Sequence, residues 1–136
     1  MATLRLEITT PDAKVYSDDV DMVVVPGVEG ELGILPRHIP LLTAIKPGEL
    51  KVTKNGQNTY LAVGEGFVEV TQERVSVLAD MALEEKAIDE AAAQEAVRRA
   101  EEAMKHPNIG HEEVAAVQAT LQKSLAQLHV KRRRHT

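Results

Sequence analysis

Cysteine and tryptophan are absent from this 136-residue chain, and its aromatic side chains amount to one Phe and two Tyr. Without a thiol there is no disulfide, no thiolate metal site and no thiol nucleophile, a composition that suits a reducing compartment. Without aromatics, a core must be built from Val, Leu, Ile and Ala, and there is little on which bases or sugar rings could stack. Positive charge is in the minority. The 16 Lys and Arg face 21 Asp and Glu, so a net charge of −5 repels nucleic acid, and no nucleic-acid partner is expected. Long apolar runs are missing too: no window approaches the roughly 18 apolar residues of a membrane span. The opening stretch MATLRLEITTPDAKVYSDD also lacks a signal-peptide layout, so no direct membrane insertion is expected. At 43% hydrophobic and 27% charged residues the chain reads as globular, with room for one domain and a small appendage.

What is present divides into two periods. Leu4, Leu6 and Ile8 alternate with Arg5, Glu7 and Thr9, the period of a half-buried strand. Similar short runs follow at 20–26, 49–54, 58–63, 66–71 and 74–79. Asn55-Gly56 can supply the positive φ angles of a type I′ hairpin turn, and Gly64 and Gly66 suggest a bulge or sheet corner. No helix-length segment separates these runs, which excludes a parallel α/β fold and predicts an antiparallel sandwich or barrel over residues 1–83.

Near Leu83 the pattern turns helical. The stretch LEEKAIDEAAAQEAVRRAEEAMKHPNIG is rich in strong helix formers; Asp89 and Glu90 sit at its start, Arg98, Arg99 and Lys105 toward its end, and Pro107 and Gly110 stop it. A second helix is predicted over about 112–130, with Val114, Val117, Leu121, Leu125 and Leu128 as one apolar stripe. The short connection makes the two an antiparallel αα-hairpin, so residues 84–136 form a helical unit ending in a basic tail. The first helix offers its partner mainly Ala91, Ala92, Ala96 and Ala100, with Ile88, Val97 and Met104. An alanine methyl is worth about 0.8 kcal/mol of burial, whereas ordering a residue costs about 1–2 kcal/mol of backbone entropy. A hairpin held only lightly in any one pose is the expectation.

Residue constellations for chemistry are sparse. Gly27, Gly30 and Gly33 lack the Lys-Ser/Thr end of a phosphate loop and no helix follows them. His106 and His111 are split by Pro107 and Gly110, which removes helical ligand spacing, and SDDVD at 17–21 lacks the glycine and distal glutamate of a calcium loop. Ser17, Ser76 and Ser124 have no nucleophile-elbow context. No catalytic residue, metal or cofactor is assigned.

The blocks VPGVEGELGILPRHIPLLTAIKPGEL (25–50), GEGFVEV (64–70) and VSVLAD (75–80), followed by IDEAAAQEAVRRAEEAM (88–104), resemble the epsilon subunits of rotary proton-translocating ATP synthases, in the same order and over nearly the whole chain. The resemblance implies an N-terminal sandwich of about ten strands and a C-terminal two-helix hairpin. It implies a non-catalytic subunit of the central stalk, bound to a gamma subunit and touching the ring of c subunits. The helices would inhibit ATP hydrolysis by extending toward the alpha and beta catalytic subunits. The site would be peripheral, on the cytoplasmic face of a plasma membrane or the cytoplasmic or stromal face of a thylakoid.

Residue by residue, Glu31 and His38 match the family's c-ring contacts. They would stand outward on a rigid lip turned by Gly27, Gly30 and Gly33 and stiffened by Pro36 and Pro40, with Leu35, Leu41 and Leu42 anchored beneath. Lys123, Lys131, Arg132, Arg133 and Arg134 would dock on acidic surfaces of the catalytic subunits. Ile88, Asp89 and Ala93 match part of a family ATP motif, but Ala92 replaces its Arg, whose planar charged fork alanine cannot supply. ATP binding is not assigned. The competing reading is a stand-alone β-sandwich ligand module braced by its helices.

Overall fold

The computed structural model describes residues 2–37, 39–106 and 110–133. Ten strands come first: β1 (Leu4–Thr9), β2 (Lys14–Val20), β3 (Met22–Gly27), β4 (Gly30–Ile34), β5 (Leu41–Ile45), β6 (Gly48–Lys54), β7 (Gln57–Val63), β8 (Gly66–Val70), β9 (Arg74–Ala79) and β10 (Ala82–Glu84). A single 3-10 turn (Glu85–Ala87) leads into α1 (Glu90–Met104) and α2 (His111–Arg133).

The strands make one sheet in the order β10-β7-β6-β3-β5-β8-β9-β1-β2, with β4 added to β3 off this path. Alternation along the strands decides which face turns inward. On β1 the residues Leu4, Leu6 and Ile8 are buried, on β6 Leu50 and Val52, on β9 Val75, Val77 and Ala79. Residues from both halves of the sheet join a single cluster, so the sheet is folded over on itself as a sandwich around a Val/Leu/Ile core. All ladders but one are antiparallel; β1 pairs with β9 in parallel. That departure from the antiparallel expectation needs no crossover helix, because the intervening strands themselves carry the chain from one to the other. The predicted hairpin turn is present, with positive φ at Asn55 (54°) and Gly56 (78°) between β6 and β7.

The opening of α1 is capped as its sequence suggests: the Asp89 carboxylate accepts a hydrogen bond from the Ala92 backbone N–H at 3.0 Å. Arg98 and Arg99, expected near its end, lie mid-helix and spend their charge locally. Arg98 donates to Glu95 and to Glu102, and Arg99 Nε donates to Glu95 at 3.1 Å. The Arg98 hydrogen bond, more than any other influence, lowers the Glu95 carboxyl to about 2. A depressed carboxyl stabilises the native state fully above the ordinary Glu range and loses that contribution as pH falls through about 2. A carboxyl-detected NMR titration should therefore give Glu95 a midpoint near 2; an ordinary midpoint of 4.5 would show that these ion pairs do not form in solution.

The hairpin uses only part of the faces expected of it: Ile88, Ala96 and Ala100 are placed as expected, other positions are not. Ala91 and Ala92 are exposed, while Ala93 and Ala100 are the buried residues of α1. On α2 the buried residues are Ser124, Ala126, Leu128 and Val130, and Leu125 is 42% exposed. With about 3.6 residues per turn, positions two apart point nearly opposite ways, so this spacing means two buried faces on α2. One continues the stripe of Val114, Val117, Leu121 and Leu128 toward α1, where Ala116, Val117 and Thr120 line a groove with Ala96, Ala100 and Ala103. The other sets Ala126 and Val130 on Ala62 and Ile88, with Tyr60, Met81 and Leu83 around them. A single-stripe reading fails because α2 is the middle layer, between α1 and the sandwich.

Candidate functional site

The two outer faces of the sandwich have different fates. On the β6–β7–β10 side, Glu49, Ala62 and Leu83 form a cross-strand row, and α2 lies across it. On the β5–β8–β9–β1 side, Ala44, Phe67, Leu78 and Thr9 form the equivalent row. Among the described residues no helix covers that row. Phe67, Leu78 and nearby Val28, whose N–H donates to the Ala44 carbonyl, each keep more than half of their surface exposed. Leu42, two residues from Ala44 on the same face of β5, is 67% exposed. The chain's only phenylalanine thus stands at the centre of an exposed apolar strip, the arrangement expected of a protein-binding face.

The segment expected to form a rigid lip is partly a strand. Residues 30–34 are β4, the second arm of a hairpin in which Gly27 pairs with Gly30 and Pro26 with Glu31. Gly33 lies within β4, paired with Val24 of β3, so it makes no turn. Past β4 the chain turns at Arg37, which adopts a left-handed φ of 68° and donates its N–H to the Gln72 carbonyl. Leu35 (58% exposed) and Leu42 do not anchor beneath the lip, though Leu41 does pack on the core. The alternation of β5 decides this, because Leu41 and Leu42 must face opposite sides. Glu31 is exposed on β4. His38 lies outside the described residues.

The basic residues of α2 are paired inward. Lys123 Nζ lies 2.9 Å from Asp80 Oδ2, Lys131 Nζ 3.5 Å from Glu85 Oε1, and Arg132 Nε 3.1 Å from Glu90 Oε1 on α1. Arg133 makes a two-pronged bond to Glu49, with Nε and Nη2 each 2.6 Å from a carboxylate oxygen, and its guanidinium sits 4.7 Å from the centroid of the Tyr60 ring. The Glu49 bonds raise the Arg133 pKa further against the opposing effect of burial, and Glu31 adds to that field. Arg134 lies outside the described residues. A signal for this stripe was present in the sequence: Lys123, Ala126, Val130 and Arg133 are spaced by three, four and three, a second helical face with small apolar residues between two cations.

The positions matching the nucleotide motif all have structural duties. Ile88 is buried under α2, Asp89 caps α1 and Ala93 is buried in α1, while Ala92 is exposed. An open cleft of about 430 Å³ beside the 3-10 turn is lined in part by Glu84, Glu85 and Lys86, two carboxylates to one ammonium, a balance that does not favour a triphosphate.

Comparison with known proteins bears on all of this. Residues 3–85 match the family model described as the ATP synthase delta/epsilon chain β-sandwich domain, and residues 86–132 match its long α-helix domain. The chain belongs to the ATP synthase delta/epsilon family. It is 45% identical over 129 residues to the ATP synthase epsilon chain of Alkalilimnicola ehrlichii, covering 94% of this chain and 91% of that one. It is 44% identical over 137 residues to the ATP synthase epsilon chain of Dehalococcoides mccartyi, covering 99% and 98%. A chain of the Euglena gracilis mitochondrial ATP synthase, solved as OSCP/F1/c-ring, has a similar fold at a TM-score of 0.80 and 21% identity, over 95% of this chain and 81% of that one. A chain from the central stalk and c-ring of the Tetrahymena thermophila mitochondrial ATP synthase shares the fold at a TM-score of 0.63 and 14% identity. Family membership replaces the alternative of a stand-alone ligand module. It makes the chain an epsilon-type, non-catalytic subunit of an ATP synthase. Among the described residues no helix is long and apolar enough to cross a membrane.

Proposed function

We propose that the chain couples the c ring to a gamma-type shaft subunit and restrains ATP hydrolysis through its C-terminal helices. The uncovered strip of Val28, Phe67 and Leu78 carries this reading. An apolar face left bare on a sheet whose opposite face is sealed by α2 is a docking face for a permanent partner, and gamma fits that role. Glu31 and His38 face the polar loops of the c ring. The two units, 1–83 and 84–136, divide the labour: a stiff sandwich transmits torque and a helical hairpin regulates. If the hairpin leaves the sandwich, Lys123, Lys131, Arg132, Arg133 and Arg134 meet acidic surfaces of the alpha and beta subunits. The assembly sits at the cytoplasmic face of a bacterial plasma membrane, or at the cytoplasmic or stromal face of a thylakoid.

Adding the full chain to an ATP synthase complex depleted of its own epsilon subunit tests both roles. Proton pumping driven by ATP should recover while the hydrolysis rate falls. Recovery of neither, with the chain remaining unbound, would reject the proposal.

A further inference from the structure

The structure separates one of the inward ion pairs from the rest. Glu49 is only 13% exposed, the least of the acids that meet α2. It holds both prongs of the Arg133 guanidinium, whose face lies over Tyr60, and His129 Nε2 approaches the same carboxylate at 3.7 Å. Glu49 stands opposite Ala62 on the β6–β7 ladder, so it rises from the same row that supports Ala126 and Val130. Two of the four buried residues in that cluster are alanines, so the apolar seating of α2 on the sheet rests mainly on Ile88 and Val130 with the partly buried Tyr60, Met81 and Leu83 around them. A two-pronged, charge-assisted bond to a largely shielded carboxylate adds to that packing a directional hold at the end of the helix.

We propose that Glu49 is the latch of the hairpin: while its carboxylate holds Arg133, the basic end of α2 is committed to the sandwich and withheld from any outside acidic surface. The fork matters as well as the charge. Lysine is a point charge that cannot span both carboxylate oxygens, so Arg133→Lys should release the hairpin nearly as far as loss of the charge does. Lys123–Asp80 steadies the middle of α2 by a single contact; in the last turn Lys131 meets the Glu85 carboxylate and backbone carbonyl at 3.5 Å each and Arg132 meets Glu90 of α1, but neither makes a two-pronged bond to one carboxylate. The consequence for the assembled enzyme rests on the inhibitory role proposed above: a chain without the latch should inhibit hydrolysis more strongly.

Hydrogen exchange of the isolated full chain tests the latch itself. In Glu49→Gln, amides of α2 should exchange about tenfold faster, the loss expected for one charge-assisted pair. Amides of β1 and β9 should be unchanged, which also verifies that the variant folds. Arg133→Gln should give the same acceleration from the other side, and the double variant no more than either alone. Unchanged α2 exchange in a folded Glu49→Gln or Arg133→Gln overturns the latch. Additive acceleration in the double variant overturns it too. Hydrolysis by a complex reconstituted with Glu49→Gln separates the two proposals. Faster exchange with unaltered hydrolysis keeps the latch and rejects the inhibitory role, whereas faster exchange with slower hydrolysis supports both.

Discussion

Replacing Gly66 by alanine should destabilise the sandwich by about 3 kcal/mol or more, at or beyond the upper end for overpacking a core. A Cβ at this position would lie 1.8 Å from the Leu78 carbonyl oxygen and 2.8 Å from both the Ala79 Cα and the Leu78 carbonyl carbon. All three are backbone atoms of β9, paired in register with β8, so relief requires the two strands to part. Parting them breaks the ladder that carries Val68 and Val70 on one side and Val75 and Val77 on the other, all fully or almost fully buried. Thermal unfolding should show a fall in melting temperature on the order of 10 °C. Gly64→Ala is the informative contrast, since its Cβ would meet the Asp80 carboxylate at 1.9 Å. That side chain can swing aside, so the change should disturb the Asp80–Lys123 pair and leave the sheet in place. Equal, small losses for both variants would show that β8 and β9 are not as closely apposed as described.

Phe67→Thr should leave the fold almost untouched yet remove much of the affinity for the proposed shaft partner. The side chain is 57% exposed and threonine keeps the strand's preference for β-branched residues, so the stability change should stay within about 1 kcal/mol. A central aromatic anchor in an interface costs about 2 kcal/mol or more when truncated, which is roughly a thirtyfold loss of affinity. Titration of the full chain onto the epsilon-depleted complex should show that loss, with Leu78→Thr behaving alike. Full affinity in both variants would move the docking face elsewhere on the sandwich.

Much of the architecture could be read from the order of residues alone. The short runs located β1, β3, β6, β7, β8 and β9, Asn55-Gly56 marked the β6–β7 turn, and the Ala/Glu/Arg-rich stretch after Leu83 announced α1. These features are local: the period of a strand, the φ angles of a turn and the capping of a helix by Asp89 depend on neighbours a few residues away. β2, β4 and β5 were harder. The polar β2 and the glycine-interrupted β4 have no clean alternation, and each exists because a partner strand satisfies its backbone.

What the residues determined by themselves was the material: an aliphatic sheet, two amphipathic helices, no thiol chemistry and a basic end. Only the tertiary structure decided how each surface is used. It placed α2 between two partners and exposed Leu35 and Leu42. It brought Glu49 to Arg133 across 84 positions of sequence and left Phe67 uncovered on the opposite side. The reason is that a side chain's fate depends on which distant surface arrives over it, and no local periodicity encodes that arrival.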